Sequence, residues 1–192
     1  MIVMGGSLGG MQSVQTILQA LPADFALPIV IALHRPPDDE DMLTPLLRRG
    51  CALRVSEVVD KEPIEASRIY VAPADYHVLV EPDCLSLSVD ERVNHARPSV
   101  DVLFESAALS CGDRSIGVIL SGAGADGARG AAAIERSGGT VLVESPATAV
   151  RADMPAAALA ATTASLDLPL PRIVTTLCEL ARKNQSGVSH AT

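Results

Sequence analysis

Aromatic residues make up only 2% of the 192-residue sequence, and tryptophan is absent. A core without large rings has to be filled by Leu, Val, Ile and Ala, which suits helices packed on a parallel sheet. No apolar stretch is long enough to span a bilayer, and no charged segment precedes a signal-like apolar core. Direct membrane insertion is therefore not expected, and the expected location is the cytoplasm. The four cysteines, Cys51, Cys84, Cys111 and Cys178, are far apart. They form no C-x-x-C and no metal-like pairing with His34, His77, His95 or His190, so reduced thiols used for buried packing are expected. No lysine occurs before Lys61, which removes the G-K-[ST] ending of a P-loop from the N-terminal glycines. A net charge of −8 argues against a nucleic-acid partner. Apolar residues at 48% against 20% charged indicate one folded domain with a substantial core.

Against these absences, the first stretch of the chain is dense with signal. Met1-Ile2-Val3-Met4 is a short strand-like run, and Gly5-Gly6-Ser7-Leu8-Gly9-Gly10 follows it. Met11, Val14, Ile17, Leu18 and Leu21 then recur at helical spacing. The reading is strand, tight glycine-rich turn, helix, with a single hydroxyl in the turn. A helix N-terminus beside such a turn offers free N–H groups and a partial positive charge. Those groups can hold a phosphate. Alternatively, they can stabilise an oxyanion while Ser7 acts as nucleophile, and Gly5-Gly6-Ser7-Leu8-Gly9 matches the G-x-S-x-G elbow pattern. A plain glycine-rich turn at the mouth of an α/β sheet fits the same residues.

Pro28-Ile29-Val30-Ile31-Ala32-Leu33 reads as a strand buried on both faces, stopped by His34-Arg35-Pro36-Pro37. His34 is thereby set at a carboxyl edge, where open α/β sheets place ligands. Asp38 to Asp41 is an acidic loop or helix start, and Met42 to Arg49 is a helix ended by Gly50. Leu53 to Val58 alternates as a strand. Arg68–Ala72, His77–Glu81 and Leu85–Val89 are spaced as antiparallel hairpins attached to the main sheet. Pro98, Ser99 and Asp101 open a helix whose apolar face carries Leu103, Phe104, Ala107, Ala108 and Cys111. Ser115 to Leu120 is a buried-type strand running into a second glycine-rich turn, Ser121-Gly122-Ala123-Gly124-Ala125-Asp126-Gly127. Ala128–Ser137, Met154–Ala161 and Arg172–Arg182 read as helices and Thr140–Val143 as a strand. The expected fold class is α/β, a doubly wound, mostly parallel sheet flanked by helices with a small antiparallel hairpin region.

Three turns then stand at the carboxyl ends of three parallel strands, carrying Ser7, His34 and Asp126. These are the residue types of a nucleophile, a proton acceptor and a carboxylate that orients the imidazole. Their order, Ser then His then Asp, differs from that of the α/β-hydrolases.

These segments occur together with Tyr70-Val71-Ala72-Pro73, Asp75-Tyr76-His77 and Arg97-Pro98-Ser99-Val100-Asp101-Val102-Leu103-Phe104. From Ile2 to about Leu180 the chain resembles the catalytic domain of the chemotaxis protein-glutamate methylesterase family, the CheB type. The Arg-Pro-Ser-Val-Asp-Val-Leu-Phe string and the Gly-Ala-Gly-Ala-Asp-Gly turn are its most specific pieces. The resemblance implies a catalytic domain over 1–183; Asn184 to Thr192 is polar, with Gly and Ser, and is expected to be a flexible tail. It implies Ser7, His34 and Asp126 as the catalytic triad, and hydrolysis of glutamyl methyl esters with possible glutamine deamidation. The implied partner is the methylated chemoreceptor cytoplasmic domain, and no metal or organic cofactor is needed. Backbone N–H groups would supply the oxyanion donors. Ala123 is the family-like candidate, and Leu8 follows from its place at the helix start.

Two residues depart from the family's habit: Ala123 stands where methionine is usual, and Arg35 where methionine is common. Arg35 reads as a long cation at the rim, able to change the substrate or its approach. The chain also starts at the first catalytic-domain strand, so no receiver domain is expected in this chain. His77 and His95 are expected to be structural, Asp101 a first-turn helix acid, and Arg97 a structural ion-pair residue or one that contacts the site or the acidic receptor surface. Two alternatives to the esterase stay open: a phosphate- or nucleotide-binding module, and a weakly active relative used in signalling.

Overall fold

The computed structural model describes residues 1–37 and 42–188. The Asp38–Asp41 acidic run and the end of the chain from 189 lie outside the described residues. Chain order begins with strand β1 (Ile2–Gly6), helix α1 (Gly10–Ala20), β2 (Ile29–Leu33), α2 (Leu43–Arg48) and β3 (Arg54–Glu57). Next come β4 (Glu62–Pro63), β5 (Arg68–Val71), β6 (His77–Val80), β7 (Cys84–Ser88) and α3 (Val100–Cys111). The chain then runs through β8 (Ile116–Ile119), α4 (Ala128–Arg136), β9 (Thr140–Glu144), α5 (Asp153–Ala161), β10 (Leu166–Leu168) and α6 (Leu170–Val188). Helix α6 continues beyond Arg182, where the apolar pattern stops. Among the described residues, no helix is long and apolar enough to cross a membrane.

Seven strands form one parallel sheet in the order β10-β9-β8-β1-β2-β5-β3. The apolar runs explain why. Strands β1 and β2 are buried at every residue, as a central parallel strand covered on both faces must be. Their period of two divides the core. Ile2, Met4, Ile29 and Ile31 face Val14, Ile17 and Leu18 of α1 and Ile173 and Leu177 of α6. Val3, Val30 and Ala32 join the core formed with Leu103, Phe104, Ile134, Met154 and Ala158 of α3, α4 and α5. Each fully buried Ile or Leu contributes about 1.5–3 kcal/mol, so aliphatic side chains supply the core that the missing aromatics do not.

Two short elements near β3 refine the expected hairpins. Strand β5 lies in the main sheet, parallel to both β2 and β3, rather than in a hairpin. All four of its residues are buried, and its polar members are satisfied sideways. Arg68 bonds Ser56 and Glu62, and the Tyr70 hydroxyl donates to the Pro63 carbonyl. The antiparallel strands form a separate three-stranded sheet, β4-β7-β6, instead of an attachment to the main one, and β6 packs on α3. The cysteines are unpaired thiols and half-buried rather than buried.

The strand order fixes where a site can form. After β1 the chain builds β2, β3 and β5 on one side, then returns to place β8 on the other. The carboxyl ends of β1, β2 and β8 therefore surround the point where the winding reverses, the usual ligand position in such sheets.

Candidate active site

Gly6 of β1 pairs with Leu33 of β2, and the His34 N–H donates to the Gly6 carbonyl (3.1 Å). Ser7 and His34 are thus the first residues past two paired strand ends. On the other side of β1, the Ser7 N–H donates to the Ser121 carbonyl just after β8 (3.0 Å). The Ser7 carbonyl accepts from Gly10 N–H (2.8 Å), and Gly9 at φ 85° turns the chain into α1. Gly122 is required by contact: a Cβ there would lie 2.9 Å from both the Ser7 Cβ and the Ser7 nitrogen. Ser7 itself is half-buried, and among the described residues none hydrogen-bonds its Oγ. No hydrogen bond joins Ser7 to the His34 ring.

Asp126 is held far more tightly. It is 2% exposed, and His34 Nε2–H donates to its Oδ2 at 2.7 Å. The same oxygen accepts from Val100 N–H (2.7 Å). Its Oδ1 accepts from Ser99 Oγ (2.8 Å), Asn94 Nδ2 (2.9 Å) and Asp101 N–H (3.1 Å). Two of those donors are the first N–H groups of α3, so the carboxylate also sits at the positive end of a helix. Burial pushes the Asp126 carboxyl up, but His34, Asn94 and the α3 N–H groups outweigh it and hold it below the usual carboxylate range. An ionised carboxylate can only accept, so it keeps the His34 proton on Nε2 and leaves Nδ1 as the ring's acceptor.

A second buried carboxylate stands beside the first. Asp101 Oδ1 accepts from Gly127 N–H (2.9 Å) and Gly130 N–H (2.8 Å), which caps the start of α4. Burial, with Asp126 nearby, pushes its carboxyl up, against the hydrogen bonds from Gly130 and Asn94. Asn94 Nδ2 lies 2.8 Å from Asp101 Oδ2 and 2.9 Å from Asp126 Oδ1, so one amide serves both acids. Asn94 and His95 form a two-residue turn with positive φ at both (52° and 64°), closed by paired hydrogen bonds between Val93 and Ala96.

The glycine-rich turn after β8 is anchored in turn. Glu144, buried at the end of β9, accepts from Ser121 N–H (2.7 Å) and Ser13 Oγ (2.9 Å). Ser121 Oγ donates to the Leu8 carbonyl (3.0 Å) and accepts from Arg151 N–H (2.8 Å). Three loops therefore meet on one buried serine. The N–H groups of Leu8 and Ala123 take no acceptor among the described residues, and the Leu8 side chain points outward, 61% exposed.

Two clefts open on His34. One, of about 270 Å³, is mostly apolar and lined by Ser7, Met11, Leu33, Met42, Leu43 and Leu46. The other, of about 320 Å³, is lined by Arg92, Asn94, His95 and Arg97. Arg35 borders both. Its side chain is only 6% exposed and is ion-paired with Glu57 on β3. His77 is buried, accepting from Ser99 N–H at Nδ1 and donating from Nε2 to the Glu91 carbonyl, which is a structural role. Arg97 is paired with Asp75 and bonds two carbonyls.

All three triad-type residues and both backbone candidates thus lie on one sheet edge. Sequence reading did not find Asn94, Ser13, Ser121 and Glu144, and it gave Ser99 and Asp101 only helix-start roles. The Asn94-His95 pair, one residue ahead of Arg97-Pro98, marks a tight turn, and a lone Glu closing the apolar Val141–Val143 run marks a buried acid. Neither local signal names the partner.

Known proteins share this chain's sequence pattern and fold. The CheB methylesterase family profile matches residues 2–177. A Leptospira interrogans relative that carries the name protein-glutamate methylesterase/protein-glutamine glutaminase is 42% identical over 184 residues, covering 95% of each chain. A Caulobacter vibrioides protein-glutamate methylesterase/protein-glutamine glutaminase is 38% identical over 94% of this chain, which spans only 54% of that protein. The crystal structure of the Thermotoga maritima CheB methylesterase catalytic domain matches with a TM-score of 0.87 and 33% identity, covering 93% of this chain and 97% of that one. On profile, relatives and fold together, the chain belongs to the CheB methylesterase family.

Proposed function

We propose that the chain is a cytoplasmic serine hydrolase that demethylates glutamyl methyl esters on bacterial chemoreceptors, and that it also deamidates receptor glutamines. The observation that carries the reading is the 2.7 Å bond from His34 Nε2 to a buried, five-times hydrogen-bonded Asp126, one strand end away from Ser7. With Nε2 committed to Asp126, Nδ1 of His34 takes the Ser7 proton as Oγ attacks the ester carbonyl. The proton passes to the departing methoxide, giving methanol and a glutamyl-Ser7 ester. Water then attacks that ester and gives a proton to His34; the acyl–Oγ bond breaks, His34 returns the proton to Ser7 Oγ, and the glutamate is released as its carboxylate with a proton to solvent. With a glutamine side chain the same sequence releases ammonia. The scheme uses only protein groups and water.

The free protein has no Ser7–His34 hydrogen bond, and the proposal has that contact form as substrate seats, as catalytic contacts often do. The unclaimed N–H groups of Leu8 and Ala123 are the proposed oxyanion donors; losing a side chain at 123 leaves the backbone donor intact. The apolar cleft beside Ser7 suits a methyl ester and the aliphatic stem that carries it. At the second glycine-rich turn, a phosphate-binding role is disfavoured by charge. Asp126 already occupies the N-terminus of α3 and Asp101 that of α4, so an anion would meet two buried carboxylates.

Methanol release from methylated chemoreceptor membranes tests the reading. Wild type should release methanol, and Ser7→Ala should lose at least about a thousandfold while remaining folded. Release at the wild-type rate by Ser7→Ala would overturn the assignment of the nucleophile.

A further inference from the structure

The two buried acids behind His34 raise a question that the triad alone does not answer. Asp126 and Asp101 are each about 2% exposed and come from different elements, the turn after β8 and the first turn of α3. Two carboxylates this close disfavour each other's charged form. One side-chain amide bridges the two carboxylates, beside the bond from Asp101 N–H to Asp126 Oδ1. The two hydrogens of Asn94 Nδ2 reach Asp101 Oδ2 at 2.8 Å and Asp126 Oδ1 at 2.9 Å.

From this we infer that Asn94 is a positioning residue for the proposed reaction: it fixes the Asp126–His34 pair by bridging Asp126 to Asp101. The inference rests on the hydrolase reading above. The placement of Asn94 supports it. The residue stands in the tip of the Val93–Ala96 turn at φ 52°, a conformation that asparagine tolerates better than most residues. Its amide reaches inward to both acids while the residue stays exposed and lines the polar cleft. An amide is also the right chemistry. It donates twice without carrying charge, so it satisfies an oxygen on each acid without adding a cation that would compete with His34 for Asp126. Among the described residues, the other charged or titratable groups around the pair are Arg129, 3.9 Å from Asp101, and the cleft residues Arg35, Arg92, His95 and Arg97.

Losing the bridge leaves more uncompensated negative charge behind His34. That charge stabilises the imidazolium, so the acid limb of the rate profile moves to higher pH. Replacing the amide with a carboxylate moves it further. Two variants keep the turn while removing the bridge. Asn94→Gly suits positive φ at no steric cost, and Asn94→Asp keeps the shape. Each is measured for kcat, KM and the pH dependence of kcat/KM in methanol release. In parallel, the downfield proton of His34 Nε2–H is followed by NMR in the same proteins without substrate.

The expected result is a kcat lower by about tenfold or more, the effect of losing a hydrogen bond to a charged group, with KM within about twofold. The acid limb shifts upward in the order wild type, Asn94→Gly, Asn94→Asp, and the His34 proton signal moves or broadens. Folded variants with wild-type kcat, an unmoved acid limb and an unchanged His34 signal would overturn the inference. Methanol release absent from wild type would instead strike the hydrolase reading. The NMR arm would then still decide whether Asn94 fixes the pair.

Discussion

Ser7 and Asp126 face the same sheet edge, yet the protein holds them in opposite ways. Among the described residues, Ser7 is fixed only through its backbone, by Ser121, Gly10 and the close packing of Gly122, and the residue is half-buried. Asp126 is sealed in and accepts five hydrogen bonds drawn from His34, Asn94, Ser99, Val100 and Asp101. A reacting oxygen has to reach substrate and change its bonding during turnover, so little should be tied to it. A carboxylate that only orients an imidazole gains from preorganisation, because its dipoles are then in place before charge develops. On the proposed mechanism, one arm of the site contributes chemistry and almost no stability, and the other contributes both.

Removing the anchored acid should break this contrast most strongly. Asp126→Asn puts an amide nitrogen where donors converge and removes the charge that sets the His34 tautomer. Methanol release should fall by about a thousandfold or more, as for other triad carboxylates. Stability should fall by about 2–3 kcal/mol, since buried donors lose a charged acceptor, and denaturant melts would report it. The next largest effect belongs to Glu144, which ties Ser121 to Ser13 beneath the serine turn. Glu144→Ala leaves the buried Ser121 N–H unsatisfied and Ser13 Oγ with only the Gly9 carbonyl at 3.5 Å, and should cost about 2 kcal/mol in the same melts. Its activity should fall through misplacement of the turn, whereas Glu144→Gln, which keeps an acceptor oxygen, should stay near wild type.

The smallest effect is one of pH. The native carboxyl of Asp126 is held below its unfolded value, so its contribution to stability is present above about pH 4 and is lost as pH falls through the native pKa. The gap in unfolding free energy between wild type and Asp126→Asn should therefore be flat from neutral pH to about 5 and narrow below about 4. A gap that stays constant down to pH 3 would mean that the native acid is not favoured in its charged form. Asp101 works in the opposite sense. Its carboxyl is raised by burial, so its charge costs stability once pH passes the unfolded value, and protonating it in acid offsets part of what Asp126 loses.

The same contrast explains what could be read from the residues alone. Ser7 and His34 were legible because each follows an apolar run and precedes a local breaker, glycines in one case and two prolines in the other. Asp126 was legible from the glycine-rich turn that carries it. The central strands were legible because burial on both faces leaves a continuous apolar signature in β1, β2 and β8. Strand β5 was misplaced because Arg68 and Tyr70 give it the alternation of a half-exposed hairpin strand, while their polar groups find partners inside the fold. Strands β4 and β10, two and three residues long, are too short to leave a period. The network around Asp126 was not legible for a different reason. Asn94 and Asp126 are 32 positions apart, and Ser13 and Glu144 are 131 apart. Local pattern shows that a residue is polar, but only the folded chain decides which buried group it satisfies.

The most direct test of the central claim measures methanol release and the melting temperature of wild type, Ser7→Ala and Asp126→Asn side by side. Both variants should lose methanol release. Ser7→Ala should melt with wild type, within about 0.5 kcal/mol, while Asp126→Asn should melt several degrees lower, at roughly 2–4 °C per kcal/mol for a chain of this size. A Ser7→Ala protein that still releases methanol, or an Asp126→Asn protein as stable as wild type, would contradict the account.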